Sequence, residues 1–417
     1  MKRIVWSLLF LLAAGLITLR SLALAQDAEQ IPQAPLHGYY TYGKLRGVTT
    51  EQAMRGAAAA TSIPLFSYSV TSSRDSNHYT GVMVGRSPFF HGARTTNIPA
   101  VIIPIKFTMA DHETGGATVF DPSATDATCS PHGPALTLFQ NSPILKAVNF
   151  TMPFPPNLDG VNVGSGQYLD EFQRANFWSS VSVTGDRFHT VLFPVTTLPV
   201  QSVSVPTGHG KGYNAAADFG GCGSLGGLDG SWWDPVIFVG GSGGEAQTLI
   251  ANLTSAGKIS PTQFPIFLFY NVIMNATGES ACSSGCALGY HNSEFSPVQT
   301  YGVADWDTTG VFTSGVQTTG NSSVLAHEVG EWMDDPLGNN PTPLWGHIGQ
   351  VSGCQNNLEV GDPLSGTIVP PVLLGSMNYD LQELAFFSWF YGTPTTGVSS
   401  DFSNNDTFDG DAGAVCF

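Results

Sequence analysis

The chain has 417 residues, with 15 Lys and Arg against 32 Asp and Glu, a formal net charge of −17, and only 11% of its residues charged. Such a balance excludes a nucleic-acid groove, which needs clustered cations against phosphate, and it disfavours an anionic membrane surface for the same reason. A hydrophobic fraction of 42% together with 48 Gly and 27 Pro excludes a disordered acidic tail and points to a loop-rich globular chain.

The first element is a leader. Met1-Lys2-Arg3 is basic, 4–19 is almost wholly apolar, and Ala23-Leu24-Ala25 fits a small-x-small cleavage site. Residues 1–25 therefore read as a secretory signal peptide, and the mature chain is expected outside the cell or in the periplasm. No later segment reaches the roughly 20 apolar residues of a membrane span.

Short apolar runs bounded by Gly, Pro, Asn or Ser predict strands at 101–107, 190–194, 235–239 and 264–274. A helix is expected over 167–178, and the glycine-rich 220–230 reads as a turn, because it lacks the Lys and following helix of a phosphate cradle. Further helices are expected at 323–334 and at 379–391, the latter stopped by Gly392. The pattern is α+β, with a mixed or antiparallel sheet and a metal-site helix in the C-terminal half. It divides into a β-rich region, 26–215, and a metal-site region, 216–417, which could also form one continuous domain.

Export gives the cysteines meaning. Cys129, Cys222, Cys282, Cys286, Cys354 and Cys416 allow up to three disulfides. Cys282 and Cys286 are near enough to close on each other, and Cys354 and Cys416 could tie the C-terminus to an earlier loop. A four-thiolate zinc site is the rival reading.

The segment that carries chemistry is 322–336. Ser322 or Ser323 can cap a helix and Pro336 ends it. His327-Glu328-x-x-Glu331 lies within it. Residues four apart share a helix face, while Leu325, Val329 and Trp332 form an apolar stripe on the other side. His327 and Glu331 can then grip a divalent cation, and Glu328 can take a proton from a water beside it. A carboxylate in place of a second His keeps zinc possible but makes the site harder, which admits another divalent ion. Asp335 is two turns from His327, too far for the same ion. His347, in a loop, could reach the site as ligand or transition-state donor. His91, His112 and His209 stand alone and read as surface or core residues.

Downstream, Glu359 and Asp362 follow. The layout resembles metallopeptidases of the gluzincin type, which carry HExxH, then a Glu as third ligand, then an Asp orienting the first His. That resemblance implies His327, Glu331 and Glu359 as ligands, Glu328 as general base and Asp362 as orienter. It departs in having Glu331 for His, and three rather than four positions from Glu359 to Asp362. A second resemblance, over roughly 264–365, is to secreted Exordium-like (phosphate-induced) proteins. It rests on Cys282-x3-Cys286, Gly289-Tyr290-His291, Asp335-Pro336, Cys354 and Glu359. His291 is read as a structural residue beside the cysteine pair.

The expected function is a secreted metal-dependent hydrolase, a zinc peptidase acting on peptide or protein substrates, with His347 or Tyr379 facing the oxyanion. Its rival is a cell-surface or glycan-binding protein with a structural or vestigial metal site. A glycosidase would need a nominated carboxylate pair, and none stands out among the 32 acids.

Overall fold

One long strand organises the sheet. In β1 (Arg94–Asp111) the β-branched run around Val101, Ile102, Ile103 and Ile105 favours extended backbone. Its side chains alternate: Ile102 enters one core, and Val101, Ile103 and Ile105 the other. Burial on both faces is why the run is continuously apolar rather than alternating. This is a computed structural model that describes residues 50–417, apart from 90–93, 185–186, 283–285, 296–297, 313–319, 393–394, 409, 411–415 and 417. The expected signal peptide and His91 lie outside the described residues.

β1 pairs in parallel with β2 (Phe188–Thr197) and with β3 (Phe264–Tyr270). β3 pairs in parallel with β5 (Val298–Trp306), which carries β4 (Gly289–Phe295) antiparallel at the edge. On the other side of β1 run Gly210–Asn214, Ser224–Asp229, Val272–Asn275 and Cys286–Ala287. The result is one mixed, 11-stranded sheet in an α+β chain. Pairing of Gly210–Asn214 with Ser224–Asp229, and of β1 with β3, crosses position 215. The described residues accordingly fall in a single compact unit.

Two helices matter for the site. α1 (Tyr168–Asn176) lies within the expected 167–178. α2 (Ser323–Asp334) has the expected bounds, and Asp335 leaves helical geometry before Pro336 (φ −138°, ψ 68°). Ser322 holds the N-cap position, yet its hydroxyl donates to the Asp380 carbonyl instead of capping. Trp332 stacks on Phe264 of β3 with ring centroids 3.6 Å apart. Every residue of α2 is buried, so its polar face is covered as well as its apolar one.

Other expectations are corrected. Residues 235–239 form a helix, because Asp234 accepts from the Ile237 amide, Pro235 suits the first turn and Gly240 closes it with φ +66°. The 264–274 run breaks at Asn271, whose φ is +55°. The glycine-rich 220–230 contains the strand Ser224–Asp229. Only Phe387–Tyr391 of 379–391 is helical; Met377–Asp380 is a strand. The intervening residues are held extended by long-range bonds, such as Ala385 N–H to the Val360 carbonyl and Leu384 N–H to Asn404 Oδ1.

The disulfides are Cys129–Cys222, Cys282–Cys286 and Cys354–Cys416. All six cysteines are therefore consumed and a thiolate zinc site is excluded. Among the described residues no helix is long and apolar enough to cross a membrane. Three disulfides are consistent with an extracellular setting.

Candidate metal centre

Four chain segments converge on the polar face of α2. The helix itself brings His327, Glu328 and Glu331 onto one side by its 3.6-residue period. β4 brings His291: alternation along it sends Tyr290 into the opposite core, where its hydroxyl bonds Asp234. The hairpin of β6 (Pro341–Ile348) and β7 (Val351–Asn357) leads into 358–362, which carries Glu359 and Asp362. The extended stretch after Asp380 supplies Gln382. Two glycines let these segments close. A Cβ at Gly289 would lie 2.8 Å from Glu328 Cγ, and one at Gly361 would lie 2.4 Å from His327 Nδ1.

Glu331 is the hub. Its Oε1 lies 3.1 Å from His327 Nε2 and accepts the Gly361 and Asp362 amides, each at 3.2 Å. Its Oε2 lies 3.6 Å from His291 Nδ1. Glu328 Oε2 is also 3.6 Å from His291 Nδ1, and Asp362 Oδ1 is 3.5 Å from His327 Nε2. Glu359 Oε2 stands 4.0 Å from His291 Nε2. Two donor sets result, His327–Glu328–Glu331 and His291–Glu331–Glu359, each with ligand atoms within 4.8 Å of one another and sharing Glu331.

Both imidazoles are held from behind. Gln382 Nε2 donates to the Gly361 carbonyl at 2.7 Å, so its Oε1 is left to accept from His327 Nδ1 at 3.2 Å. His291 Nε2 donates to the Asp335 carbonyl at 3.0 Å. Each ring thus turns its other nitrogen toward the carboxylates of α2.

The electrostatics are those of a site short of positive charge. Burial pushes the Glu328 carboxyl up to about 8 and raises Glu331 as well. Burial opposes the charged form of His327, but Glu331 and Asp362 outweigh it and hold the imidazole well above its ordinary value. Asp334 and Asp335, at the end of α2, are raised to about 7, mainly by burial. Glu328 is 3% exposed and makes no hydrogen bond among the described residues.

Of the residues nominated from sequence, His327, Glu328, Glu331, Glu359 and Asp362 come together. Two do not join them. His347 is exposed on β6 with φ +54°, and Nε2 is 3.7 Å from the Cys354 sulfur. Tyr379 donates to the Leu138 carbonyl and lines a separate cleft of about 510 Å³ with His132 and Lys146. Behind His327 Nδ1 stands Gln382; Asp362 faces the Nε2 side of His327 and is itself held by Gln350 and Gln355. Asp335 stays out of the donor sets, since its carboxylate caps the Asn339 and Asn340 amides. His291 was expected beside the cysteine pair; its position on β4 places it in the cluster instead. Its signal in sequence is faint: Gly289 two positions earlier, on the same strand face, where a helix approaches closely. Gln382 had no signal, because a helix was expected there.

No protein-family model, curated protein or solved structure matches the chain.

Proposed function

We propose that the chain is an exported metal-dependent hydrolase, in the first place a zinc peptidase, working at the His327–Glu328–Glu331 face of α2. The observation that carries this reading is the spacing of the donors. Bonds of 2.0–2.2 Å at a tetrahedral ion separate neighbouring ligand atoms by about 3.3–3.6 Å. His327 Nε2–Asp362 Oδ1 at 3.5 Å and His291 Nδ1–Glu331 Oε2 at 3.6 Å fall there, while His327 Nε2–Glu331 Oε1, at 3.1 Å, is at an ordinary N–H···O distance. Imidazole suits zinc, and the carboxylate-rich remainder also suits a harder divalent ion.

When bound, the cation supplies Lewis acidity toward a substrate carbonyl and acidifies a water. The chain's own residues do the rest. Gln382 and the Asp335 carbonyl each accept from one imidazole nitrogen and so fix which nitrogen of His327 and of His291 is turned toward the carboxylates of α2. The Gly361 and Asp362 amides fix Glu331. Glu328, with no hydrogen bond to hold its carboxylate elsewhere, accepts the proton of the attacking water and returns it to the leaving amine.

A second reading has an observation of its own. The donors are 0–4% exposed, and closed sites are typical of structural metals. On that reading the chain is a secreted binding protein, and the ion holds its core. Metal analysis of the full chain, with Glu328→Gln assayed on casein and on peptide libraries, decides between them. Stoichiometric metal, with hydrolysis lost in Glu328→Gln by a factor of about 10²–10⁴, supports the peptidase. Metal without hydrolysis supports the binding protein, and no metal overturns both.

A further inference from the structure

We infer that the Cys354–Cys416 disulfide is a thiol-exchange site, opened by an external dithiol while the rest of the chain stays folded, and that its opening loosens the 358–362 segment that carries Glu359 and Asp362. The inference concerns the covalent state of the chain and does not depend on a metal ion.

Three observations carry it. The first is access. Exchange proceeds by attack of a thiolate on a disulfide sulfur, so it follows exposure. Cys354 is exposed and Cys416 half-buried. Cys129, Cys282 and Cys286 are only 1%, 7% and 1% exposed, so each of the other two bonds has at least one cysteine shut in the interior.

The second is an imidazole set against the sulfur. The His347 side chain is exposed, and its Nε2 lies 3.7 Å from Cys354 Sγ. The hairpin is irregular at this point. Gly346 pairs with Cys354 and Ile348 with Val351, so Ser352 and Gly353 together oppose His347. Such a bulge re-aims a side chain. His347 itself has φ +54°, a left-handed conformation that is costly for a residue other than glycine. Glycine there would relieve the strain and lose the imidazole.

The third is what the bond holds. Among the described residues β6 and β7 pair only with each other, and a lone two-stranded hairpin is marginally stable. Trp345 packs β6 against Trp389 and Phe390, but every residue of β7 is exposed or half-buried. Gln355, next to Cys354, donates to Asp362 Oδ2 at 2.9 Å, and Gln350 at the hairpin tip donates to Oδ1. The chain before Cys416 has its own anchors: Phe408 stacks on Trp389 and Thr407 bonds Glu383. Cutting the disulfide therefore frees β7 and leaves both the anchors and the core in place.

The exchange balances. One thiolate of the dithiol attacks Cys416 Sγ, the S–S bond breaks, and its electron pair leaves on Cys354 Sγ, where the His347 imidazole stabilises it. The second thiol of the reagent then displaces Cys416 from the mixed disulfide. The dithiol is oxidised to its disulfide, and its two protons end on Cys354 and Cys416.

The test treats the oxidised full chain with dithiothreitol, quenches samples by alkylation and maps the modified cysteines by mass spectrometry, with circular dichroism followed in parallel. Cys354 and Cys416 should be alkylated about tenfold faster than the other four, with the spectrum unchanged. His347→Ala, at an exposed position, should slow this reduction by about threefold to tenfold, because a less stabilised thiolate leaves more slowly, and leave the other two bonds as they were. Amide hydrogen exchange over 351–362 should speed up on reduction and recover on reoxidation, with α2 unchanged. The wild-type time course needs no variant, so a misfolded mutant does not spare the inference. Reduction of this bond only together with global unfolding, or no faster than the others, overturns the exchange site. A wild-type rate in His347→Ala overturns the assistance by the imidazole, and unchanged hydrogen exchange over 351–362 overturns the loosening.

Discussion

Gln382 is the residue whose removal best separates a positioned metal ligand from an ordinary buried histidine. It is 1% exposed and makes two bonds, donating to the Gly361 carbonyl at 2.7 Å and accepting from His327 Nδ1 at 3.2 Å. Gln382→Ala strips both partners of their bonds in a dry interior. At about 1–3 kcal/mol for each unsatisfied group, the loss of stability is about 2–6 kcal/mol. The second consequence is specific to a metal ligand. Without an acceptor behind Nδ1, His327 is free to place its proton on Nε2 and to turn its ring, and metal affinity should fall 10–100-fold, or about 1.4–2.8 kcal/mol. Gln382→Glu keeps the acceptor for His327 while losing the donor to Gly361, so it should be destabilised yet hold metal within about threefold of wild type. Competition against a chromophoric chelator measures affinity, and urea unfolding of the metal-free chain measures stability. Should Gln382→Ala bind metal as tightly as wild type, the assignment of His327 as a ligand oriented through Nδ1 is refuted, whatever happens to stability.

Three further outcomes are expected. Trp332→Ala removes a fully buried ring stacked on Phe264 and should cost about 3–5 kcal/mol in denaturant titration; a loss under about 1 kcal/mol would mean that α2 is not anchored there. Cys416→Ser opens a 62-residue loop and should cost about 4 kcal/mol on the chain-entropy account, seen as a lower Tm that reducing agent no longer shifts through this bond. Asp229 accepts from the Ser231 amide and hydroxyl and from His209. Burial raises its carboxyl, but these bonds outweigh burial and hold it below its ordinary value. A depressed carboxylate contributes stability above its unfolded pKa of about 3.9, and loses it as pH falls through the lower folded value. Asp229→Ala should therefore cost about 1 kcal/mol near neutral pH, and the gap to wild type should close as pH drops below about 4. A gap constant from pH 7 to 3 would contradict this.

Legibility followed the range of the interactions. The bounds of α2 and the shared face of His327, Glu328 and Glu331 were readable because helix geometry is set within one turn. Cys282 and Cys286 could be paired from their separation alone, and the apolar runs that became β1 and β3 were visible because burial on both sheet faces demands them. Segments of five residues or so were less secure. At 235–239 a cap and a glycine stop turned an apolar run into a helix, and at 381–385 bonds to distant residues overrode a helical pattern.

The centre itself divides along the same line. Local spacing named the acids of α2, and the order of residues downstream named Glu359 and Asp362. That His291 faces Glu328 and Glu331 depends on the register of β4 against β5 and on the packing of α2 over both, which joins residues far apart in the chain. That Gln382, not Asp362, stands behind His327 depends on where an extended segment passes. An α-helix closes its hydrogen bonds within four residues and writes itself into the local pattern. A strand finds its partners across the whole fold, so the side chains it delivers to a site are known only when the sheet has formed.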